Sequence, residues 1–161
     1  MPKITPCLWF DTDGEEAAKL YTSVFPNSKI TKVTHYGSAG PRSEGTVMTV
    51  EFELDGKPFV ALNGGPEFSF SEAVSFQVDC DTQEEVDSLW TTLSEGGEEG
   101  PCGWLKDRFG LSWQIIPTAL PRLLNDPDRE KAQRVMAAMM KMGKIEIAEL
   151  ERAAGGVGAS S

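Results

Sequence analysis

The amino-acid sequence predicts an α+β fold. Two βαβββ modules form curved mixed sheets around a concave cavity, and a C-terminal helical extension follows them. Three observations support this prediction: two helical segments repeat at a fixed distance, a β-hairpin pattern follows each of them, and the pattern turns helical after Pro117. A set of strands and a helix that recurs in the same order along the chain indicates two copies of one module. In each copy the helix covers one face of the sheet.

The repeated helices lie over residues 15–24 and 84–93, and 69 residues separate Glu15 from its counterpart Glu84. Apolar residues recur at i, i+3, i+4 and i+7 in both, which is the spacing of one buried helix face. These stripes are Ala17, Leu20, Tyr21 and Val24, and then Val86, Leu89, Trp90 and Leu93. Local capping is predicted at both starts, from Thr82 with Glu85 and from Thr12 or Asp13 with Glu15 or Glu16.

Predicted strands surround each helix. In the first module they cover residues 4–10, 29–36, 46–54 and 57–62, and Asp55-Gly56 between the last two is a strong two-residue turn signal. In the second they cover 74–78, 98–102, 104–106 and 111–116, with 98–102 short and weak. We expect the modules to span residues 1–66 and 67–118.

The C-terminal part differs from both modules. Asp126-Pro127 is a helix start, and it predicts a helix over 128–142 with a methionine-rich stripe. Such stripes are typical of adaptable core or of a dimer contact. A shorter helix is expected over 145–152, so the helical region covers 119–152 and a flexible tail covers 153–161.

Apolar and polar residues alternate in the first and last strands of the second module. Trp113 and Ile115 are apolar, whereas Ser112 and Gln114 are polar, and with a period of two each set faces one side of the sheet. The apolar set suits the helix. The polar set is therefore expected to face a concave interior, as a small-molecule pocket requires. A solvated face that binds nothing is the alternative.

Charge and cysteine content restrict the partners. The net charge is −10, which disfavours nucleic acid and anionic membrane surfaces. Three dispersed cysteines, Cys7, Cys80 and Cys102, argue against a disulfide framework and a structural zinc site, and they favour a reducing cytoplasm. His35 is the single histidine, so a metal site built on two or three histidines of one chain is excluded. Neither a membrane-spanning run nor a signal-peptide pattern is expected.

Five stretches carry a family resemblance: residues 4–10, 51–56, 61–66, 75–78 and 102–107. They resemble the PhnB-like branch of the vicinal oxygen chelate superfamily, which includes glyoxalase I, the bleomycin-resistance proteins and extradiol dioxygenases. This branch often carries the label 3-demethylubiquinone-9 3-methyltransferase. The resemblance covers about residues 3–152. It implies paired modules, a homodimer and a ligand cavity.

The resemblance also implies where metal ligands would stand in enzymes similar to glyoxalase. When the strands are matched, the ligand positions correspond to residues near Thr5, Asn63, Ala73 and Gln114. None of these residues is a histidine or carries a carboxylate. We therefore expect no bound transition metal and no other cofactor. The methyltransferase label lacks support, because the glycine-rich stretch 63–66 precedes no helical pattern and is expected to be an inter-module turn.

Candidate ligand-binding residues come from the polar strand positions and from these places. Thr5, Cys7 and Trp9 share one side of the first strand, and Trp9 suggests stacking against a flat ligand, with ordinary core packing as the alternative. The full set is Thr5, Cys7, Trp9, Asn63, Ser75, Gln77, Ser112 and Gln114. We assign no catalytic residue: an inert Cys7 and a surface His35 are expected, and the charged stretch 106–108 is expected to be solvated.

Three functions remain open at this point. The first is a small-molecule-binding protein without the usual metal site, similar to the bleomycin-resistance proteins. The second is an enzyme of the same fold, either a metal-dependent lyase or isomerase or a methyl or group transferase. The third is an interaction protein that uses its methionine-rich helix.

Overall fold

The computed structural model describes residues 1–156, which form two compact units that meet in sequence between Phe70 and Ser71. The first unit contains β1 (Cys7–Phe10), α1 (Gly14–Val24), β2 (Lys29–His35), β3 (Val47–Leu54) and β4 (Lys57–Asn63). The second contains β5 (Ser75–Cys80), α2 (Gln83–Ser94), β6 (Glu98–Glu99), β7 (Trp104–Lys106) and β8 (Ser112–Pro117). It continues with α3 (Ala119–Leu124), α4 (Arg129–Met139) and α5 (Ile147–Ala154).

The two sheets have the same topology. Their strand orders are β1-β4-β3-β2 and β5-β8-β7-β6, with β1 parallel to β4, β5 parallel to β8 and the other neighbours antiparallel. The predicted α+β fold with two βαβββ modules and a helical extension is confirmed. The division of the chain at residues 66, 118 and 152 stays a prediction. Within the predicted tail, Ala153 and Ala154 belong to α5, and residues 157–161 lie outside the described part.

The helix of each unit buries equivalent positions against its own sheet. Ala17 and Tyr21 of α1 are buried, as are their counterparts Val86 and Trp90 of α2. The third positions, Leu20 and Leu89, are half-buried in both copies, and only the last pair differs, because Leu93 is buried and Val24 is half-buried. The matching burial confirms that the 69-residue repeat is structural.

The helix starts are satisfied differently in the two units. In α2, the Glu85 amide donates to Thr82 Oγ1 at 3.2 Å, as predicted. In α1, the predicted local cap is wrong, since the Asp13 side chain makes no capping hydrogen bond. The Gly14 amide instead donates to Asn63 Oδ1 at 2.8 Å, so an acceptor from the end of β4 satisfies a free N–H of the first turn.

The β7–β8 turn also departs from expectation. The stretch 106–108 was expected to be solvated, but Asp107 is only 2% exposed. Its Oδ1 accepts from the amides of Phe109 and Leu111 at 2.9 and 3.1 Å, and Oδ2 accepts from Trp113 Nε1 at 2.9 Å. The expectation is wrong for Asp107 because the turn's amides and a buried indole need an acceptor, and a carboxylate provides several.

The C-terminal helices form a small core on the second unit. Ile116 at the end of β8 packs in a cluster with residues of all three helices: Leu120, Leu123, Val135, Ile145, Leu150 and Ala154. Met139 and Met142 pack against this cluster, which agrees with the adaptable-core interpretation, whereas Met136 and Met140 are exposed. Helix α3 was not predicted from the sequence; its Pro121 lies in the first turn, where an absent N–H costs no helical hydrogen bond.

Hydrogen bonds attach this extension to the module. The amides of Cys102 and Gly103 donate to the carbonyls of Met142 and Gly143, both at 2.8 Å. The Gln83 side chain, at the start of α2, accepts from the Ile147 amide at 2.8 Å and so caps α5. None of the helices within residues 1–156 has the length and apolarity needed to cross a bilayer.

Candidate ligand-binding site

The strand register of the second unit sorts its side chains onto two faces. Across the sheet, Glu98 lies beside Lys106, Lys106 beside Ser112, and Ser112 beside Ser75. Two residues further along, Gln77, Gln114 and Trp104 form the next row on the same face. The alternating residues Leu105, Trp113 and Ile115 point to the opposite face and are buried. The predicted alternation of β8 is therefore present in the structure.

A cavity of about 520 Å³ lies over this polar face. We call it the Ser112 cavity, and its wall includes the side chains of Glu72, Glu98, Cys102, Trp104, Lys106 and Ser112. Ser112 is 1% exposed, and its Oγ has no hydrogen-bond partner among the residues that the structure describes. Buried hydroxyl groups are nearly always paired, so an unpaired one in a cavity wall indicates a place for a polar ligand atom.

Neighbouring polar side chains on this face are partly fixed by each other. Gln114 Nε2 donates to Ser75 Oγ at 2.9 Å, which orients the Gln114 amide. Gln77 Nε2 donates to Asp79 Oδ1 at 2.9 Å, and Gln77 is exposed. The structure thus brings Ser75, Ser112 and Gln114 together, with Gln77 at the exposed end of the same face.

An ion pair forms part of the cavity wall. The Lys106 ammonium and the Glu72 carboxylate form a salt bridge. The hydrogen bond from Lys106 lowers the pKa of Glu72, and the same bond raises the pKa of Lys106. Both groups are therefore charged at neutral pH.

Of the six wall residues named above, five were not predicted as site residues from the sequence: Glu72, Glu98, Cys102, Trp104 and Lys106. Alternation around buried Leu105 could have placed Trp104 and Lys106 on the polar face. Cys102 has a left-handed backbone with φ of 57°, and its Sγ lies 4.0 Å from Met140 Sδ. Glu72 precedes β5 outside any regular element, so no periodic pattern marks it.

The other four candidates belong to the first unit. Thr5 and Cys7 are exposed, and Trp9 is half-buried, with Nε1 donating to the Gly65 carbonyl at 2.9 Å and its ring packed edge-on against Phe68. Asn63 lies opposite Phe10 in the register, so it shares the α1 side of the sheet and not the side of Trp9. It is 5% exposed and fully engaged, since Oδ1 caps α1 and Nδ2 donates to the Val47 carbonyl.

A second cavity, of about 670 Å³, lies in the first unit beside the start of α1. Its wall includes Glu15, Glu16, Arg42 and Asn63, and Arg42 pairs with Asp11 at 3.6 Å. No buried side-chain atom without a partner faces it within residues 1–156. The Ser112 cavity is therefore the stronger candidate site.

The four positions where related enzymes would place metal ligands do not fit a transition metal. Ala73 has no donor atom in its side chain, the Asn63 oxygen is committed to the α1 start, and Thr5 is an exposed hydroxyl. In the described part of the chain, no group of three His, Cys, Asp or Glu side chains comes together as a metal site. Neutral amides and hydroxyls bind zinc, nickel or iron weakly.

The glycine-rich stretch does not open a helix either. Gly64 and Gly65 follow β4, and residues 64–74 contain no helix before β5 begins. The nucleotide-type phosphate site of doubly wound folds needs a glycine-rich turn that leads directly into a helix N-terminus. This turn lacks that geometry.

Comparisons with known proteins identify relatives. The family model described as 3-demethylubiquinone-9 3-methyltransferase matches residues 2–116. The PhnB protein from Bacillus cereus is 35% identical with a TM-score of 0.65, and the alignment covers 73% of this chain and 100% of that chain. A Pseudomonas aeruginosa protein shares the fold at 19% identity and a TM-score of 0.61, covering 73% of this chain and 98% of its own. No curated protein matches.

The match ends one residue before the end of β8, so α3, α4 and α5 lie outside it. Both modules lie within the match, and the identity to the B. cereus protein holds over that protein's whole length. The chain therefore belongs to the PhnB-like 3-demethylubiquinone-9 3-methyltransferase family.

Proposed function

We propose that this chain is a small-molecule-binding protein of the glyoxalase and bleomycin-resistance fold, with its ligand in the Ser112 cavity. The buried, unpaired Ser112 Oγ is the observation that carries the proposal. Leaving such a group unpaired costs about 1–3 kcal/mol, which a ligand atom that bonds to it would recover. The cavity volume of about 520 Å³ lies in the range of small-molecule sites.

A thermal-shift screen with small ring compounds tests this proposal. Ligands that bind the folded state raise the melting temperature in a concentration-dependent way. Ser112→Ala is expected to reduce the shift for compounds with a polar group, whereas Ser88→Ala, an exposed serine on α2, is expected to leave it unchanged. If no compound stabilises the wild type, or if both variants respond equally, the cavity is not a binding site.

An enzyme of the same fold, as the family's description suggests, is the alternative. A binding protein returns its ligand unchanged, whereas a lyase, isomerase or transferase converts it. We expect mass spectrometry to recover every bound compound intact after incubation with the protein, with and without S-adenosylmethionine. Turnover that Ser112→Ala abolishes would favour the enzyme.

The donor set at the four expected ligand positions predicts no stoichiometric zinc, nickel or iron. Elemental analysis of protein purified without a histidine tag measures this directly. A full equivalent of metal per chain that is lost in Gln114→Ala would contradict the proposal and make metal-dependent chemistry the leading function.

We also propose a homodimer in the cytoplasm. The helix of the first unit covers one face of its sheet, and the opposite side carries half-buried Trp9 next to Phe68, which is 66% exposed. Light scattering is expected to give about twice the 17.5 kDa chain mass at micromolar concentration, and a monomer mass would count against the dimer. The three cysteines are free thiols, which suits a reducing compartment.

A further inference from the structure

The charges around the Ser112 cavity restrict its ligand. Glu72, Glu98 and Glu99 line it, and Lys106 is the one basic residue among the described residues of its wall. Lys106 is already paired with Glu72, and Glu99 accepts from Trp90 Nε1 at 3.0 Å on the α2 side of the sheet. The Glu98 carboxylate therefore leaves the polar face of the cavity with one net negative charge. The whole chain carries −10, which adds to this potential. An anionic ligand is therefore repelled and a cationic one attracted.

The indole of Trp104 supplies a flat apolar surface beside these carboxylates. Trp104 is half-buried on the polar face, and its neighbour across the sheet is Gly100, which directly follows the edge strand β6 and whose amide donates to the Trp104 carbonyl. A Cβ at Gly100 would lie 2.8 Å from the Trp104 carbonyl oxygen, so no other residue fits there and no side chain covers the indole from that position. Tryptophan faces stack on rings and attract cations.

The two polar anchors stand apart. Ser112 and Glu98 flank Lys106 on opposite sides in one row of the sheet, so two strand spacings, roughly 10 Å, separate their backbones. Ser112 Oγ can donate and accept one hydrogen bond with a ligand hydroxyl, and Glu98 is exposed on the cavity rim. A ring with a hydroxyl group at one end and an amine at the other spans such a pair of anchors.

We propose that the Ser112 cavity selects ring compounds that carry a protonated amine at one end and a hydroxyl group at the other. The hydroxyl pairs with Ser112 Oγ, the ring stacks on Trp104, and the amine lies toward Glu98. This inference rests on the proposed function of the cavity as a ligand site.

Three matched probes test it by isothermal titration calorimetry: tyramine, phenethylamine, which lacks the hydroxyl, and 3-(4-hydroxyphenyl)propionate, which replaces the amine by a carboxylate. Wild-type protein is expected to bind tyramine about tenfold more tightly than phenethylamine, the value of one buried hydrogen bond. It is expected to bind the propionate at least about tenfold more weakly than tyramine, because the sign of the charge is reversed. Added salt should narrow only the second difference.

Single substitutions test which residue is responsible for each difference in probe affinity. Ser112→Ala is expected to bring tyramine to the affinity of phenethylamine, Glu98→Gln to reduce the preference of amine over carboxylate, and Trp104→Leu to weaken all three probes. Ser88→Ala and Glu44→Gln, both at exposed positions, serve as matched controls and should change nothing. Circular dichroism spectra of all variants check that they fold.

The outcomes separate this inference from the function on which it rests. If the propionate binds as tightly as tyramine, or if Glu98→Gln leaves the charge preference intact, the proposed selectivity is wrong. If none of the three probes binds while a neutral compound from the screen does, the selectivity is wrong but the binding function stands. If nothing in the screen binds either, the binding function itself fails.

Discussion

The two units share one topology but differ on the sheet face opposite the helix. In the first unit, Cys7 and Trp9 on β1 lie beside Val60 and Leu62 on β4, so this part of the face is mostly apolar. At the corresponding place in the second unit, Ser75 and Gln77 lie beside Ser112 and Gln114. The helix-side positions are apolar in both copies because they form each core, whereas the polarity of the other face differs between the copies.

A second difference concerns the buried polar side chain that holds each unit together. The first unit places its buried amide, Asn63, at the end of β4 and uses it to cap α1. The second unit places its buried carboxylate, Asp107, in the β7–β8 turn and caps α2 locally. Free backbone N–H groups are thus satisfied by acceptors at different positions in the two units. Substitutions can measure how much each acceptor contributes to stability.

The largest expected effect is at the hairpin turns. Asp107→Asn keeps the side-chain shape but replaces one acceptor oxygen by a donor, which leaves an N–H such as Trp113 Nε1 without its acceptor. We expect a loss of about 3 kcal/mol in the free energy of unfolding, measured by urea denaturation. Asp55→Asn at the exposed β3–β4 turn should change it by less than about 0.5 kcal/mol, since asparagine tolerates the positive φ. Equal losses at both turns would remove the distinction between them.

The helix caps should give a smaller difference. Asn63→Ala removes the cap of α1 and leaves the Val47 carbonyl without its side-chain donor, so we expect a loss of about 2 kcal/mol in unfolding free energy. Thr82→Ala removes one cap contact and should cost about 1 kcal/mol. Asp13→Ala is the control and should be close to neutral. A larger loss for Asp13→Ala than for Asn63→Ala would show that α1 is capped locally.

The smallest effect concerns the buried ends of β1 and β5. Phe10 ends β1, whereas an ionisable residue, Cys80, ends β5. Burial raises the pKa of the Cys80 thiol from 9.0 to about 11. The negative charges of Glu85, Asp79 and Asp81 add to the shift. Because the folded-state pKa lies above the unfolded value, the thiol's contribution to stability is complete below pH 9 and is lost as the pH rises toward 11. Between these values, wild type should lose about 1–2 kcal/mol more than Cys80→Ala. Parallel pH profiles for the two proteins would contradict this.

Local patterns were enough to predict the modules, but not the contacts that tie distant segments together. The spacing of apolar residues over 84–93 predicts a helix, and Thr82 with Glu85 predicts where it starts. The α1 cap depends on Asn63, which is 49 residues away from Gly14, so no local pattern reports it. The local sequence around Asp107 also predicted a solvated, charged loop residue. Its burial was not predictable, because it depends on the N–H groups that the folded chain places around the carboxylate.

The candidate site was likewise predictable where it depends on local sequence and unpredictable where it depends on distant contacts. Alternation in β8 indicated that Ser112 and Gln114 share a face, and the structure places them there. That Ser112 would be buried without a partner follows only from packing, since the register sets Lys106 and Ser75 beside it and the segment 100–102 along the cavity wall. Ser75, Gln77, Ser112 and Gln114 could be grouped from sequence, but the salt bridge in the cavity wall could not, because Glu72 lies outside any strand.

The core around Ile116 has a consequence for how the protein is made on the ribosome. All strands of the first unit are complete by Asn63, so that unit can fold early during synthesis. The second unit cannot finish its core until Ile145 and Leu150 have emerged to cover Ile116. At about 5–20 residues per second, the interval between the two events is on the order of ten seconds. From the synthesis of Ile116 until Leu150 emerges, the apolar end of β8 has no complete helical cover.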